Sequence, residues 1–253
     1  MKLDLERLKQ YIALGTPEFI KRLYRATRYT LLNRSKNRWC PVCEKNSYKF
    51  LATGKPLRKD ARCPYCLSLE RHRFEWYYLN NYSDLFNQED KNILHIAPEK
   101  SFESKLKRLK GRYITADLFD NRVMVKMDIT NIQYPDNYFD VILCSHVLEH
   151  VQNDKKALGE LFRVLKKDGW ALLIVPIHSD TAMTIEDPSI TDPEERLKRF
   201  GQKDHVRIYG IDFVDRLKES GFRAKIITPM DYLASKDALY MGIKGNKLFF
   251  CTK

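Results

Sequence analysis

From residue 92 onward, short apolar runs alternate with stretches whose apolar residues fall at helical spacing. The runs cover residues 92–96, 113–116, 139–143 and 170–175. A run of this length bounded by polar residues reads as a buried strand, and strands alternating with helical patterns predict a parallel sheet wrapped by helices. Residues 155–165 carry a helical pattern, and Lys166-Lys167-Asp168-Gly169 supplies a basic last turn and a glycine to end it. Residues 212–220 repeat the device, closing at Gly221 before a candidate strand over 224–228, and residues 247–251 form a final strand. The segment 178–203, with Pro188 and Pro193, reads as a long irregular stretch placed to act as a lid.

The first part of the chain is patterned differently. In residues 1–34, Leu3, Leu5, Leu8, Tyr11, Ile12, Phe19, Ile20, Leu23 and Tyr24 recur near the 3.6-residue period with basic residues between them. Gly15-Thr16-Pro17-Glu18 breaks the run, with Thr16 as N-cap and Pro17 at the first helical position, so two helices are expected. Such a stripe can lie on a membrane surface, but packing on protein is the favoured use. Residues 70–80 form a further helical pattern.

Charge sharpens this division. Residues 1–82 hold 18 basic against 7 acidic side chains, a net +11, whereas the rest of the chain holds 27 against 26. The basic third suits phosphates, an anionic membrane surface or an acidic partner. No apolar stretch approaches the roughly 20 residues that cross a bilayer, and no secretory signal pattern opens the chain, so a cytoplasmic address is expected.

Cys40-Pro41-Val42-Cys43 and Cys63-Pro64-Tyr65-Cys66 are two CxxC knuckles with 19 residues between them. This is zinc-ribbon spacing: four thiolates complete a tetrahedral shell with no open position, which implies a structural Zn2+. Disulfides are the competing reading, disfavoured in a cytosolic chain, and redox use needs only one CxxC. Arg62, Arg71, His72 and Arg73 beside the second knuckle are candidates for a phosphate-binding face, while Cys144 and Cys251 sit in apolar, strand-like settings. The expected layout is a basic helical segment over 1–39, a cysteine module with its helix over 40–87, and the sheet domain over 88–253.

Within the sheet domain, Asp117 ends the second run 22 residues after His95, where a ribose-binding carboxylate belongs in a nucleotide-binding α/β fold. Asp128-Ile129 follows, then the stretch from Tyr134 to Val151, which contains Phe139-Asp140-Val141-Ile142-Leu143-Cys144-Ser145-His146-Val147-Leu148-Glu149-His150. With Arg163-Val164-Leu165-Lys166-Lys167-Asp168-Gly169-Trp170, these residues resemble the class I S-adenosylmethionine-dependent methyltransferases, type 11. The resemblance implies a Rossmann-like α/β fold, a seven-stranded sheet with helices on both faces, and S-adenosylmethionine as cofactor. It further implies cofactor contacts at His95, Ala97, Pro98, Glu99, Asp117, Leu118, Asp128, Ile129, Cys144 and Ser145. The chain departs from the pattern at Leu94-His95-Ile96-Ala97-Pro98-Glu99-Lys100-Ser101, where the family's acid and its three glycines are absent. Losing glycine removes easy access to positive φ and close backbone approach, so a reshaped contact with the cofactor is expected, with Glu99 available to the cofactor's amino group.

His146, His150 and His205 are candidate general bases, since imidazole titrates near neutrality. His146-Val147-Leu148-Glu149-His150 also matches H-x-x-E-H, an inverted zinc-protease signature, but that motif needs a helix and here it follows a strand. Three functions remain: methylation of a small molecule or glycan; methylation of a nucleic acid gripped by the basic third; and a non-catalytic zinc-containing binding protein.

Overall fold

A computed structural model of the chain describes residues 17, 20, 23, 37–54, 56–87, 89–177 and 181–253. The two basic helices expected over residues 1–34 lie outside the described residues, apart from three isolated positions. Among the described residues no helix is long and apolar enough to cross a membrane. The chain divides into two compact units, one taking the described residues up to Tyr78 together with Leu233–Lys244, the other Leu79–Tyr232 with Gly245–Lys253. The sheet domain therefore begins earlier than expected, and residues 233–244 group with the cysteine unit instead.

In the cysteine unit β1 (Arg38–Cys40) pairs with β2 (Lys45–Ser47), and β3 (Leu51–Thr53) pairs with β4 (Arg58–Arg62), both antiparallel. The helix α1 (Glu70–Tyr82) follows. Arg73 on α1 is fully buried and donates to the carbonyls of Ala61, Ser68, Met241 and Gly242 at 2.6–3.0 Å. Its guanidinium also stacks on Phe50, 4.1 Å from the ring centroid. The expectation that Arg73 joins a phosphate-binding face is thereby corrected. Burying a guanidinium is tolerable only when its donors are satisfied, and four carbonyls do so here.

The second unit contains, in chain order, β5 (Lys91–Ile96), α2 (Lys100–Leu106), β6 (Gly111–Asp117), β7 (Val125–Lys126), β8 (Phe139–Ser145), α3 (Asp154–Val164) and β9 (Leu165–Ile174). After these come β10 (Ile185–Glu186), α4 (Pro193–Phe200), β11 (Arg207–Ile208), α5 (Phe213–Glu219), β12 (Arg223–Ile227) and β13 (Leu248–Thr252). Seven strands form one sheet in the order β12, β13, β9, β8, β5, β6, β7, all parallel except the antiparallel β12–β13 and β13–β9 pairs. Alternate strand residues, among them Leu94, Ile96, Ile142, Cys144 and Leu173, pack with Ala157, Leu158 and Leu161 of α3 and Phe213 and Leu217 of α5. The intervening residues Ile93, Val141, Leu143 and Leu172 are buried too, so both faces of the sheet are covered. This is the α/β fold with seven strands that the resemblance implies.

Two local expectations change. Lys166-Lys167-Asp168-Gly169 does not cap α3: the helix ends at Val164 and these residues open β9. The β8–β9 register shifts between Phe139 and Val141, and Gly169 is pressed against the Asp140 carbonyl, where a Cβ would come within 2.7 Å. The segment 178–203 is not wholly irregular, since it contains α4, started by Asp192 accepting from the Glu194 and Glu195 amides and ended by Gly201 at φ +83°. Residues 178–180 of that segment lie outside the described residues.

Gly111 begins β6 at φ +87°, and a Cβ there would fall 2.3–2.4 Å from the Lys91 backbone. Gly111→Ala is expected to lower unfolding stability by about 2–4 kcal/mol, since the substitution combines backbone strain with overpacking. Urea denaturation followed by circular dichroism measures this.

Candidate functional site

Register decides which side chains meet. Ile96 of β5 lies level with Ala116 of β6 and Cys144 of β8, and Ser145 of β8 lies level with Ile174 of β9. The C-terminal ends of four parallel strands therefore form one edge, the usual ligand position in open α/β sheets. Ala97, Pro98, Glu99, Asp117, Leu118, Ser145 and His146 follow from those ends.

The loop after β5 keeps a glycine-like path without glycine. Ala97 holds φ +47° and donates its amide to the Ala116 carbonyl at 2.8 Å. An alanine here bears local strain to hold the left-handed conformation that glycine reaches freely. His95 is fully buried, with Nε2 2.7 Å from a Glu99 oxygen and Nδ1 2.8 Å from the Tyr113 hydroxyl. A carboxylate only accepts, so Nε2 carries the proton and Nδ1 accepts from Tyr113. Both ring nitrogens are occupied, so His95 positions Glu99 and presents no free nitrogen to a ligand. Burial pushes the Tyr113 phenol well above its ordinary value, with Glu103 and Glu99 adding to the effect.

Asp117 Oδ1 accepts from the amides of Phe119 and Asp120 at 2.6 and 2.7 Å, which fixes the carboxylate at the end of β6. Leu118 is half exposed and Phe119 is 84% exposed, leaving apolar surface beside that carboxylate. Asp128 is exposed and accepts from the Thr130 amide and hydroxyl, whereas Ile129 is buried in the core. The Cys144 side chain also belongs to the core, so only its backbone runs along the edge.

On the other side of the edge, His146 holds φ +55° and donates its amide to the Ile174 carbonyl. Its Nδ1 lies 3.0 Å from Glu149 Oε1, so the proton sits on Nδ1 and Nε2 is left as a lone-pair acceptor. Ser145 Oγ, His146 Nε2 and Glu149 Oε2 are buried with no hydrogen-bond partner among the described residues. Such orphaned atoms are rare and call for an occupant. Leu148–His150 is a single 3-10 turn, not the helix that an inverted zinc-protease motif requires.

Two features are not obvious from spacing. Arg207, buried, donates to the Leu148 and Gln152 carbonyls at 2.9 and 2.8 Å and to Glu186 at 2.9 Å, which clamps the turn carrying Glu149. Burial opposes charge on Glu186, yet Arg216 and Arg207 hold its carboxyl below the usual range. His205 arrives from the far end of the domain, packing edge-on against His150 with ring centroids 4.7 Å apart. Burial holds the His205 imidazole below its ordinary value, against the pull of Glu149. The H-x-x-E spacing was the available signal for Glu149. Nothing local to the sequence pairs His205 with the turn at 148–150.

In the cysteine unit the knuckles repeat one geometry. The Glu44 amide donates to the Cys40 carbonyl and the Leu67 amide to Cys63, with Glu44 at φ +58° and Leu67 at φ +65°. The four sulfurs lie within 4.8 Å of one another, with Cys40–Cys66 at 3.6 Å and Cys43–Cys63 at 3.7 Å. These spacings are too long for disulfides, whose bond is about 2.05 Å. They fit the roughly 3.8 Å edge of a thiolate tetrahedron with metal–sulfur bonds of about 2.3 Å.

Residues 84–173 match the family model described as a methyltransferase domain. The chain is 34% identical over 77 residues to the uncharacterized methyltransferase YcgJ of Bacillus subtilis, covering 30% of this chain and 28% of that protein. It is 31% identical over 72 residues to ajmaline N-methyltransferase of Rauvolfia serpentina, covering 28% and 24%. The chain thus spans about a quarter of the length of these curated relatives. Among solved structures, an S-adenosylmethionine-dependent methyltransferase from Archaeoglobus fulgidus superposes with TM-score 0.48 at 16% identity, over 70% of this chain and 92% of that one.

Because Ala97 sits where glycine is the easier residue, Ala97→Gly is expected to raise stability by about 0.5–1 kcal/mol, the reverse of the usual loss for this substitution. Thermal unfolding against the parent chain reads the sign.

Proposed function

With a methyltransferase-family domain over residues 84–173, we propose that this chain transfers the methyl group of S-adenosylmethionine to a nucleophilic oxygen or nitrogen of a small molecule or glycan. The observation that carries the reading is the edge itself, where a fixed carboxylate, Asp117, ends β6 and the orphaned polar atoms of Ser145, His146 and Glu149 follow the end of β8, with β5 between the two strands. These residues fit the cofactor: Asp117 accepts from ribose hydroxyls, Leu118 and Phe119 offer apolar surface to an aromatic base, and the Asp128–Ile129 backbone lies next along the chain. Bound, the cofactor supplies an electrophilic methyl on its sulfonium.

The chain's own residues orient the acceptor and take its proton. His146 Nε2 accepts the proton as the acceptor atom becomes methylated, while Glu149 Oε1 steadies the resulting imidazolium at Nδ1. Positioning supplies much of the remaining rate. A small acceptor is favoured over a nucleic acid because Arg38, Arg58 and Arg73 in the basic part are committed to Asp60, Glu70 and buried carbonyls. Ajmaline, the compound for which one relative is named, is likewise a small molecule. The cysteine cluster is read as holding a structural Zn2+, on the sulfur spacing above.

Asp117→Ala is expected to weaken S-adenosylmethionine binding roughly 10- to 100-fold by calorimetry, the cost of losing charged hydrogen bonds. If binding is undetectable in the parent chain, the proposal fails. His146→Ala is expected to lower kcat roughly 100- to 10,000-fold with the donor affinity unchanged, read as transfer of labelled methyl to a panel of small molecules and glycans. For the cysteine cluster, elemental analysis is expected to find one zinc per chain, lost in Cys43→Ser.

A further inference from the structure

Glu149, His150 and His205 each contribute a ligand atom to one small space, all within 4.8 Å of one another. Glu149 and His205 are buried, and His150 reaches the surface. The backbone builds this grouping: the turn Leu148–His150 carries Glu149 and His150, and the Val206 amide donates to the Glu149 carbonyl at 2.9 Å, setting His205 beside the turn. Arg207 clamps the same turn through the Leu148 and Gln152 carbonyls.

One oxygen of Glu149 serves His146, and the other, Oε2, is buried without a hydrogen-bond partner among the described residues. A buried carboxylate with an unanswered oxygen is costly unless a cation meets it. His150 turns Nδ1 toward Asp204, 3.3 Å from both its carbonyl and its carboxylate, which leaves Nε2 for another partner. An imidazole steadied by a carboxylate or carbonyl on its far nitrogen is the usual outer support of a metal-binding histidine.

The geometry points to a divalent first-row metal ion held by Glu149, His150 and His205, with coordination positions left for an oxygen of a bound acceptor. Two imidazoles and a carboxylate are a ligand set such ions accept, distinct from the soft thiolate set of the cysteine unit. The 4.8 Å within which the three ligand atoms lie admits the roughly 3–3.5 Å spacing of a nitrogen and oxygen shell. Three protein ligands leave room for a hydroxyl or carboxylate oxygen, which narrows the acceptor to compounds bearing one. Ion binding goes beyond the methyl-transfer reading and does not depend on it, since it needs neither donor nor acceptor, whereas the oxygen-bearing acceptor rests on that reading.

The test is a titration with Mn2+ of the full chain carrying one zinc per chain, enough for the cysteine cluster alone, followed by the electron paramagnetic resonance signal of the free ion. One Mn2+ is expected to bind per chain, with affinity at least about tenfold weaker in His150→Ala and in Glu149→Gln. His150 is at the surface, so His150→Ala decides the matter even if Glu149→Gln fails to fold. A signal that remains that of the free ion, or binding that His150→Ala leaves intact, overturns the inference. Because the readout contains no cofactor, that failure is separate from a failure of methyl transfer.

Discussion

Parallel pairing between β5, β6 and β8 fixes where three strands end, and with that it fixes which side chains meet. Ile96, Ala116 and Cys144 lie level across the sheet, so the residues that follow them leave the core together. Parallel strands need long crossovers, and those crossovers return every strand in the same direction, which gathers loop residues distant in sequence at one edge. Asp117 and His146 reach one edge in this way, from the two strands that flank β5. The apolar residues Leu94, Ile142 and Leu173, alternating with Ile93, Val141 and Leu172, bury both faces of the sheet and leave its carboxyl ends as the place for polar chemistry.

That edge is built from residues whose polar atoms are satisfied on the structural side and unanswered on the ligand side. Asp117 is locked by two amides, and His95 gives both nitrogens to Tyr113 and Glu99. Ser145, His146 and Glu149 by contrast keep buried atoms without partners among the described residues. Two of the six non-glycine residues at positive φ among the described residues, Ala97 and His146, lie at this edge. Stability is spent there because a preorganised site needs its groups fixed before a ligand arrives.

Periodicity made six of the sheet's seven strands legible, the two-residue β7 offering no apolar run, and the knuckle spacing made the cysteine cluster legible. Where several constraints act on one residue, the sequence spoke less clearly. Lys166-Lys167-Asp168-Gly169 carries helix-ending chemistry, yet β-pairing with β8 takes those residues into a strand. Arg73 sits in a basic run like any surface arginine, and four carbonyls, two of them in a segment some 170 residues away, make it a buried tie. Without glycine after β5, Ala97 takes the left-handed conformation that its tertiary context imposes. His205 is nameable as a candidate base, but its pairing with the turn at 148–150 has no local signal, because Arg207 and the Val206 amide bring that turn to it.

The central claim is that the carboxyl edge of β5, β6 and β8 binds the methyl donor. A crystal structure of the chain with S-adenosylhomocysteine tests it most directly. The account predicts the ribose hydroxyls on Asp117, the adenine beside Leu118 and Ile129, and the sulfur facing Ser145 and His146. A nucleoside bound elsewhere, or an edge that stays free of it at saturating concentration, contradicts the account.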